Sequence, residues 1–344
     1  MKIPKKVAHM AVEYTARRLE SFREGEHRAV NLQQAESFSP EELSSFERFH
    51  DKALTKTGLN EKPGVQYDEL EATVNELHQE LKDVDLDDNG ISPEERQGLS
   101  EAGQAAMKLA ETMMAQEPVA AMAAQTLEGL GPEDTITTIR QATLDHVDLG
   151  YGVARALMFA YIDNAEGKVK DVYTHQDVEM VGIPESKVMN TEHTWPKSRG
   201  VKDTPAVSDL HHLFPTDSMA NGKRASFPFG NVEQVLWQDG GSKLGVDKHG
   251  NKVFEPPAEH KGNIARALCY VSTVYDLELL AGEPDVLLQW HQEDPVDTRE
   301  QQRNIDISRF QKNRNPFIDQ PQLVEKVIQN LGTRPVPENM RYAG

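Results

Sequence analysis

Cysteine is almost missing. The 344 residues contain one, Cys269, so the chain can form no internal disulfide and no Cys-rich zinc site. Its neighbours Ala267, Leu268, Tyr270 and Val271 mark it as a buried, inert thiol. Long apolar runs are missing too. None approaches the roughly 20 residues that cross a bilayer, so no membrane partner is expected. The first twenty residues, MKIPKKVAHMAVEYTARRLE, start basic but lack an apolar centre, and a standard signal peptide is not expected. Positive charge is in deficit: 37 Lys and Arg stand against 56 Asp and Glu, a net charge of −19. Residues 1–140 hold 15 basic and 27 acidic side chains, which leaves 22 and 29 for 141–344. Neither half is basic. Any surface that binds a polyanion must be local, and binding there should weaken with salt.

What is there divides the chain in two. The length exceeds what one core usually organises, and EGLGP at 128–132 is the natural break. Residues 1–132 read as an acidic, all-α domain. SFSPEELSSFERF opens with Ser39 as cap, Pro40 at the first helical position and acids in the first turn. Leu70, Val74, Leu77 and Leu81 repeat at helical spacing. Between two of these helices lies DVDLDDNGISPEE (83–95), which resembles an EF-hand calcium loop. Asp85, Asp87 and Asn89 fall at loop positions 1, 3 and 5, Gly90 at the turn and Glu95 near the closing position. One residue is missing after Gly90, so Glu95 comes one place early. Calcium at this loop is one reading; an acidic helix–turn–helix capped by Ser92 is the other.

Residues 133–344 read as mainly helical with a little β structure. VKDVYTHQDVEM looks like a strand with a turn. VEQVLWQDGGSKLGVDKHGNKVFEPP, with its Gly-Gly and His-Gly-Asn turns, reads as short strands or an extended loop. Helices are expected over 261–278, 283–292 and 295–311, followed by a turn and a short helix. The class is α+β.

Chemistry concentrates between Asn190 and Gly230, where NTEHTWPKSRG and SDLHHLFPTDSMANGKRASFPFG hold three of the twelve histidines. Histidine exchanges a proton near neutral pH without prior tuning. Glu and Asn offer hard oxygens, which suit Mg²⁺ or Ca²⁺. A base, a hard metal and local cations are the parts of a phosphodiester-cleaving site. If the stretch were a regular strand, Glu192 and His193 would point to opposite faces. In DLHHL, strand alternation sends one histidine to the site and one to the core; His211 is the preferred site-side residue. Asp209 either orients a histidine or caps a turn.

These segments, with ARALMFAYIDN, EPPAEHKGNIARA, LLQWHQEDPVD and QKNRNPFID in order, resemble the bacterial endonuclease I family, within the His-Me finger (ββα-metal) nucleases. The resemblance covers about residues 154–331. It implies a β-hairpin crossed by a helix, holding one divalent metal. It implies a largely sequence-non-specific endonuclease acting on DNA, with RNA left open, that leaves 5′-phosphate ends. By position His193 matches the general base, and Glu192 and Asn221 match the ligands of Mg²⁺, Mn²⁺ or Ca²⁺. Arg224, three residues after Asn221, is a candidate phosphate contact in the catalytic set with His211. Lys197, Arg199, Lys223, Lys261 and Arg266 are candidates to bind nucleic acid. The family's product-binding arginine has no secure match between Ser198 and Asp209; Arg199 and Lys202 are stand-ins. Relatives are usually secreted or periplasmic. The competing reading is a calcium-binding interaction protein with an inactive nuclease-like domain; its protein partner is unknown.

Overall fold

The structure is a computed structural model, and it describes residues 115–342 apart from 166, 180–183 and 185–186. The expected N-terminal helices and the loop residues Asp85, Asp87, Asn89 and Glu95 lie outside the described residues. The described chain falls into two units. Residues 115–117 and 149–167 belong to one; 118–148, 168–179 and 184–342 belong to the other. In the first, the helix Tyr151–Leu157 runs into a π-helical turn, Met158–Ile162. Asn164 closes it by donating its amide to the Phe159 carbonyl (3.0 Å).

The second unit mixes helix and sheet, as an α+β chain should. Helix α1 (Pro132–Thr143) starts on Pro132, with Glu133 and Asp134 in its first turn, where acids complement the exposed backbone N–H groups. Strands β1 (Lys168–Lys170) and β2 (Asp177–Glu179) form a small antiparallel pair around a tight turn. Strand β3 (Met189–His193) pairs antiparallel with β4 (Leu213–Asp217), and helix α2 (Ser218–Arg224) follows β4 at once. Strands β5 (Gln234–Asp239), β6 (Ser242–Val246) and β7 (Lys252–Glu255) form an antiparallel meander. The Gly-rich turns predicted there are the hairpin connections. The chain then runs helical through α3 (Lys261–Tyr275), α4 (Glu283–Glu293) and α5 (Thr298–Gln311). Asp297 accepts the Glu300 N–H (2.7 Å), so α5 starts at this cap and not at Pro295.

Helix α3 is the axis of the core. Ile264, Leu268 and Val271 are fully buried, in one cluster with Ile139 of α1, Leu287 and Trp290 of α4, and Phe317 and Val324. Cys269 is buried there, and its thiol is pushed up to about 12 by burial, which makes it inert as expected.

One expectation is corrected. His211 and His212 do not sit on a strand. They occupy a 3₁₀ turn, Leu210–His212, just before β4. Strand alternation therefore does not decide which of them faces what.

Two buried histidines link the fold to pH. His260 packs edge-on against Phe214 (4.9 Å between ring centres). Burial, then the nearby Arg303, pushes its pKa down to about 3. Burial, with Arg303 and His146 and against the pull of Asp209, takes His211 to about 4. A histidine depressed in the folded state is protonated first in the unfolded chain. Its contribution is whole above about pH 6.5 and is lost as pH falls toward the folded value, about 2 kcal/mol per histidine between pH 7 and pH 5. Urea unfolding at pH 7 and pH 5 should show this loss in the wild type. His260→Leu should lose about 2 kcal/mol less across the same interval; an unchanged interval would mean that His260 does not titrate between the two states.

Candidate active site

Two short faces meet where α2 crosses the β3–β4 hairpin. Asn190 and Glu192 alternate onto one face of β3. Asn221 and Arg224, three apart, share one face of α2. Asp217 caps that helix by accepting the Ala220 N–H (2.8 Å). Across the joint, the Asn221 amide Nδ2 donates to Asn190 Oδ1 (2.5 Å) and to the Thr191 carbonyl (3.4 Å). Arg224 Nε lies 3.2 Å from Glu192 Oε1, an ionic contact without hydrogen-bond alignment.

Glu192 is buried. Its Oε1 also accepts the Tyr173 hydroxyl (2.9 Å). Burial raises its pKa, against the opposing pull of Arg224 and Tyr173. Arg224 is buried, and both of its Nη groups are hydrogen-bonded. Its Nη2 donates to the Thr194 carbonyl (2.6 Å), its Nη1 to the Ala225 carbonyl (2.9 Å), and its guanidinium lies 4.6 Å from the centre of the Phe229 ring. The sequence suggested an arginine reaching for phosphate. In this arrangement Arg224 instead ties the helix, the hairpin and Glu192 together.

His193 ends β3 on the other face. Its Nε2 is 3.0 Å from the Val207 carbonyl. A carbonyl only accepts, so Nε2 carries the proton in this contact. Burial, then His212 and Lys197, pushes its pKa down to about 2, so the ring is neutral at physiological pH. Glu192 and His193 thus make different contacts on different sides of the strand, as alternation requires.

The neighbour of His193 is His212, not His211. The two rings meet edge-on at 5.6 Å, and His212 Nε2 is 2.7 Å from the Ala206 carbonyl. His211 lies in a different cluster, against Tyr270 (4.8 Å between rings), with Nε2 3.2 Å from Asn313 Oδ1. Asp209 organises that cluster. Its carboxylate accepts from the Tyr270 hydroxyl (2.8 Å), the Tyr275 hydroxyl (2.6 Å), Gln311 Nε2 (2.7 Å) and the His211 backbone N–H (3.0 Å). Burial alone would raise its pKa, but the surrounding histidines and the Tyr275 hydroxyl hold it well below the usual carboxylate range. Asp209 both caps the turn and fixes its surroundings.

The candidate cations divide sharply. Arg199 is buried and gives both Nη groups to Glu283 (3.0 and 2.9 Å). Arg266 is buried in a paired contact with Glu300 (2.7 and 2.6 Å). Neither faces solvent, which corrects their reading as groove residues. Their planar donor sets are spent on buried carboxylates. Lys261 is tied to Glu255 (2.8 Å). Lys197 and Lys223 are exposed beside the hairpin–helix joint, and Lys202 is exposed on the following loop.

Sequence reasoning missed Tyr173 and Asn190. Asn190 was findable, because it lies two residues before Glu192 on the same strand face. Tyr173 carries no local signal; it reaches Glu192 from a separate turn.

The donor set suits a hard divalent cation. Glu192 Oε2 and Asn221 Oδ1 have no hydrogen-bond partner among the described residues, while the other polar atom of each side chain is engaged. Both are oxygens, and both belong to the joint between β3 and α2.

The joint is thus a hairpin followed at once by a short helix, with a neutral histidine at the strand end and oxygen donors on β3 and α2. Residues 145–322, more than half of the chain, match the family described as Endonuclease I. The chain belongs to the endonuclease I family. It is 37% identical to the "Extracellular ribonuclease" of Bacillus amyloliquefaciens, over 40% of this chain and 53% of that protein. It is 37% identical to an "Extracellular deoxyribonuclease" of Aeromonas hydrophila, over 32% of this chain and 48% of that protein. It is 32% identical to the "Endonuclease-1" of Buchnera aphidicola subsp. Acyrthosiphon pisum, over 32% and 44%. The chain spans about half the length of the curated relatives it matches.

The Arg224 contacts make a prediction about stability. Arg224→Ala leaves a buried carboxylate without its cation, and breaking such a pair costs about 3–5 kcal/mol. Urea unfolding at pH 7 should show a loss of that size. A change under about 0.5 kcal/mol, the usual value for an exposed side chain, would mean that Arg224 is a surface residue in solution.

Proposed function

We propose that this protein is a metal-dependent endonuclease with little sequence specificity, which hydrolyses phosphodiester bonds of DNA and also of RNA. One observation carries the reading: a buried, neutral His193, held through Nε2 by the Val207 carbonyl, ends the same strand that carries Glu192, and Asn221 stands on the helix that follows the hairpin. The names of the relatives support both substrates, since ribonucleases and deoxyribonucleases are among them.

In this reading His193 takes a proton from water. The water oxygen bonds to phosphorus, the bond from phosphorus to the 3′ oxygen breaks, and that oxygen takes a proton from solvent, so that a 5′-phosphate and a 3′-hydroxyl result. The imidazolium then returns its proton to solvent. Glu192 and Asn221 are the residues that would hold Mg²⁺, Mn²⁺ or Ca²⁺. When bound, such an ion offsets the negative charge that develops on the phosphate and the leaving oxygen. Arg224 fixes Glu192. Lys197 and Lys223 are the exposed cations placed to meet the backbone of the substrate. No base-reading element stands out among the described residues, and contacts in this reading go to phosphate and shape. Calcium at the loop of Asp85, Asp87, Asn89 and Glu95 remains part of the proposal.

Relatives named extracellular or periplasmic support work outside the cytoplasm for this chain. Among the described residues no helix is long and apolar enough to cross a membrane.

The test is nicking of supercoiled plasmid DNA, with single-stranded DNA and RNA as parallel substrates. The wild type should cut in Mg²⁺ and stop in EDTA. His193→Ala should cut about 10²–10⁴ times more slowly, the usual contribution of a general base, under conditions where urea unfolding shows the variant to be folded. Near-wild-type nicking by the folded variant would remove His193 from the reaction. Undiminished cutting in EDTA would remove the metal.

A further inference from the structure

Each candidate ligand is a side chain with two ends, and only one end is useful. An asparagine must present its oxygen to a cation, not its NH₂. A carboxylate must leave one oxygen free of protein hydrogen bonds. Two residues outside the family-matched base and ligands control these choices here.

Asn221 is oriented by Asn190. Both protons of the Asn221 Nδ2 find acceptors, Asn190 Oδ1 at 2.5 Å and the Thr191 carbonyl at 3.4 Å. Turning the amide over would set Oδ1 against two acceptor oxygens and leave Nδ2 facing outward. Asn190 is itself held across the joint, with its own Nδ2 3.5 Å from Ser218 Oγ. Asn190 therefore spans α2 from Ser218 to Asn221 and keeps Asn221 Oδ1 as the free atom.

Glu192 is oriented by Tyr173. The phenol donates to Oε1 at 2.9 Å, the same oxygen that Arg224 Nε approaches. Both partners sit on one oxygen, so Oε2 is the one left over. The tyrosine cannot drift. Its turn is closed by Asp171, which accepts the N–H groups of Tyr173 (2.9 Å) and Thr174 (2.7 Å). Val172 N–H bonds to the Pro215 carbonyl of β4 (3.1 Å), and Ser242 Oγ bonds to the Tyr173 carbonyl (2.9 Å). Gly240, at φ +51°, lets the β5–β6 hairpin turn lie against this segment. A Cβ there would come within 2.3 Å of the Thr174 Cα, so only glycine fits.

We propose that Asn190 and Tyr173 are positioning residues for the divalent cation, each selecting which oxygen of its neighbour faces the metal. This deepens the reading of Glu192 and Asn221 as ligands and rests on it.

The test is Mn²⁺ binding to the full chain without nucleic acid, followed by electron paramagnetic resonance of the free ion. The site is defined as the binding lost in Glu192→Ala, which sets aside any ion held elsewhere. Asn190→Ala and Tyr173→Phe should each weaken that site about 10–100-fold, the usual effect of removing the outer partner of a ligand. Asn190→Asp keeps the acceptor and should keep wild-type affinity or better. Unfolding in EDTA checks that each variant is folded. Plasmid nicking should be depressed at limiting Mn²⁺ and recover as Mn²⁺ is raised. If Glu192→Ala and Asn221→Ala abolish the site while Asn190→Ala and Tyr173→Phe bind within twofold of wild type, this inference falls and the ligand reading stands. Equal loss in Asn190→Asp and Asn190→Ala, or a nicking deficit that saturating Mn²⁺ does not reduce, also overturns it. If Glu192→Ala and Asn221→Ala bind like wild type, the ligand reading itself fails.

Discussion

A carboxylate buried in the joint between a hairpin and a helix sets the terms for this site. An ionised carboxylate taken out of water costs several kcal/mol unless it is paired and hydrogen-bonded. Glu192 is 2% exposed, and it meets that requirement twice on one oxygen, through Arg224 and Tyr173. The consequences spread outward. Arg224 must be buried to reach it, so the arginine's other donors need acceptors, and the backbone carbonyls of Thr194 and Ala225 supply them. The carbonyl of Thr194 comes just after β3 ends, and Ala225 just after α2 ends. The arginine that pairs with Glu192 therefore also bonds to the backbone just past the end of β3 and just past the end of α2. The group that would bind the metal is also the group that joins the two elements.

Three arginines among the described residues are spent on buried ion pairs, while the exposed cations near the joint are lysines. Arg199, Arg224 and Arg266 are buried, each against a buried glutamate. A planar guanidinium can satisfy both oxygens of a carboxylate at once, which an ammonium cannot. The exposed cations near the joint are lysines 197, 202 and 223. In a chain of net charge −19 this leaves a small positive area to meet a polyanion. Contact with substrate then depends on a few local charges, and added salt should screen them readily.

The parts legible in the sequence were those with local causes. Helix α3 announces itself by Ile264, Leu268 and Val271 at helical spacing, and the meander by its glycine turns. Glu192, His193 and Asn221 stand in short segments whose order carried the family. The parts that were not legible depend on distant partners. Nothing near Arg199 or Arg266 tells that Glu283 and Glu300, more than thirty residues away, will bury them. The DLHHL segment has the look of a strand, yet Asp209 caps its backbone and turns it into a 3₁₀ turn. That local hydrogen bond competes with the ladder and reverses the expected roles of the pair: His212 lies beside His193, and His211 lies with Tyr270.

The Asp209 cluster also reaches His193, the base of the proposed reaction. The proton on Nε2 is held by a backbone carbonyl, and a carbonyl is only as well placed as its turn. Val207 lies in the turn Ala206–Ser208, the same turn whose Ala206 carbonyl holds His212. Ser208 Oγ bonds to Asp148 (2.9 Å) and to the Pro205 carbonyl (3.0 Å). Asp209 then ties the next residue to Tyr270 and Tyr275 on α3 and to Gln311 at the end of α5. The tautomer of one histidine at the end of β3 is therefore set by helices packed far along the chain. A hydrogen bond to a side chain could be lost by a single substitution. Here the acceptor is backbone, and its position is set by the buried network of Asp209, which burial makes strict, because each polar atom left unpaired there would cost about 1–3 kcal/mol. The core and the catalytic group are held by the same constraint: buried polar atoms must find partners, and at each of these joints one arrangement supplies them.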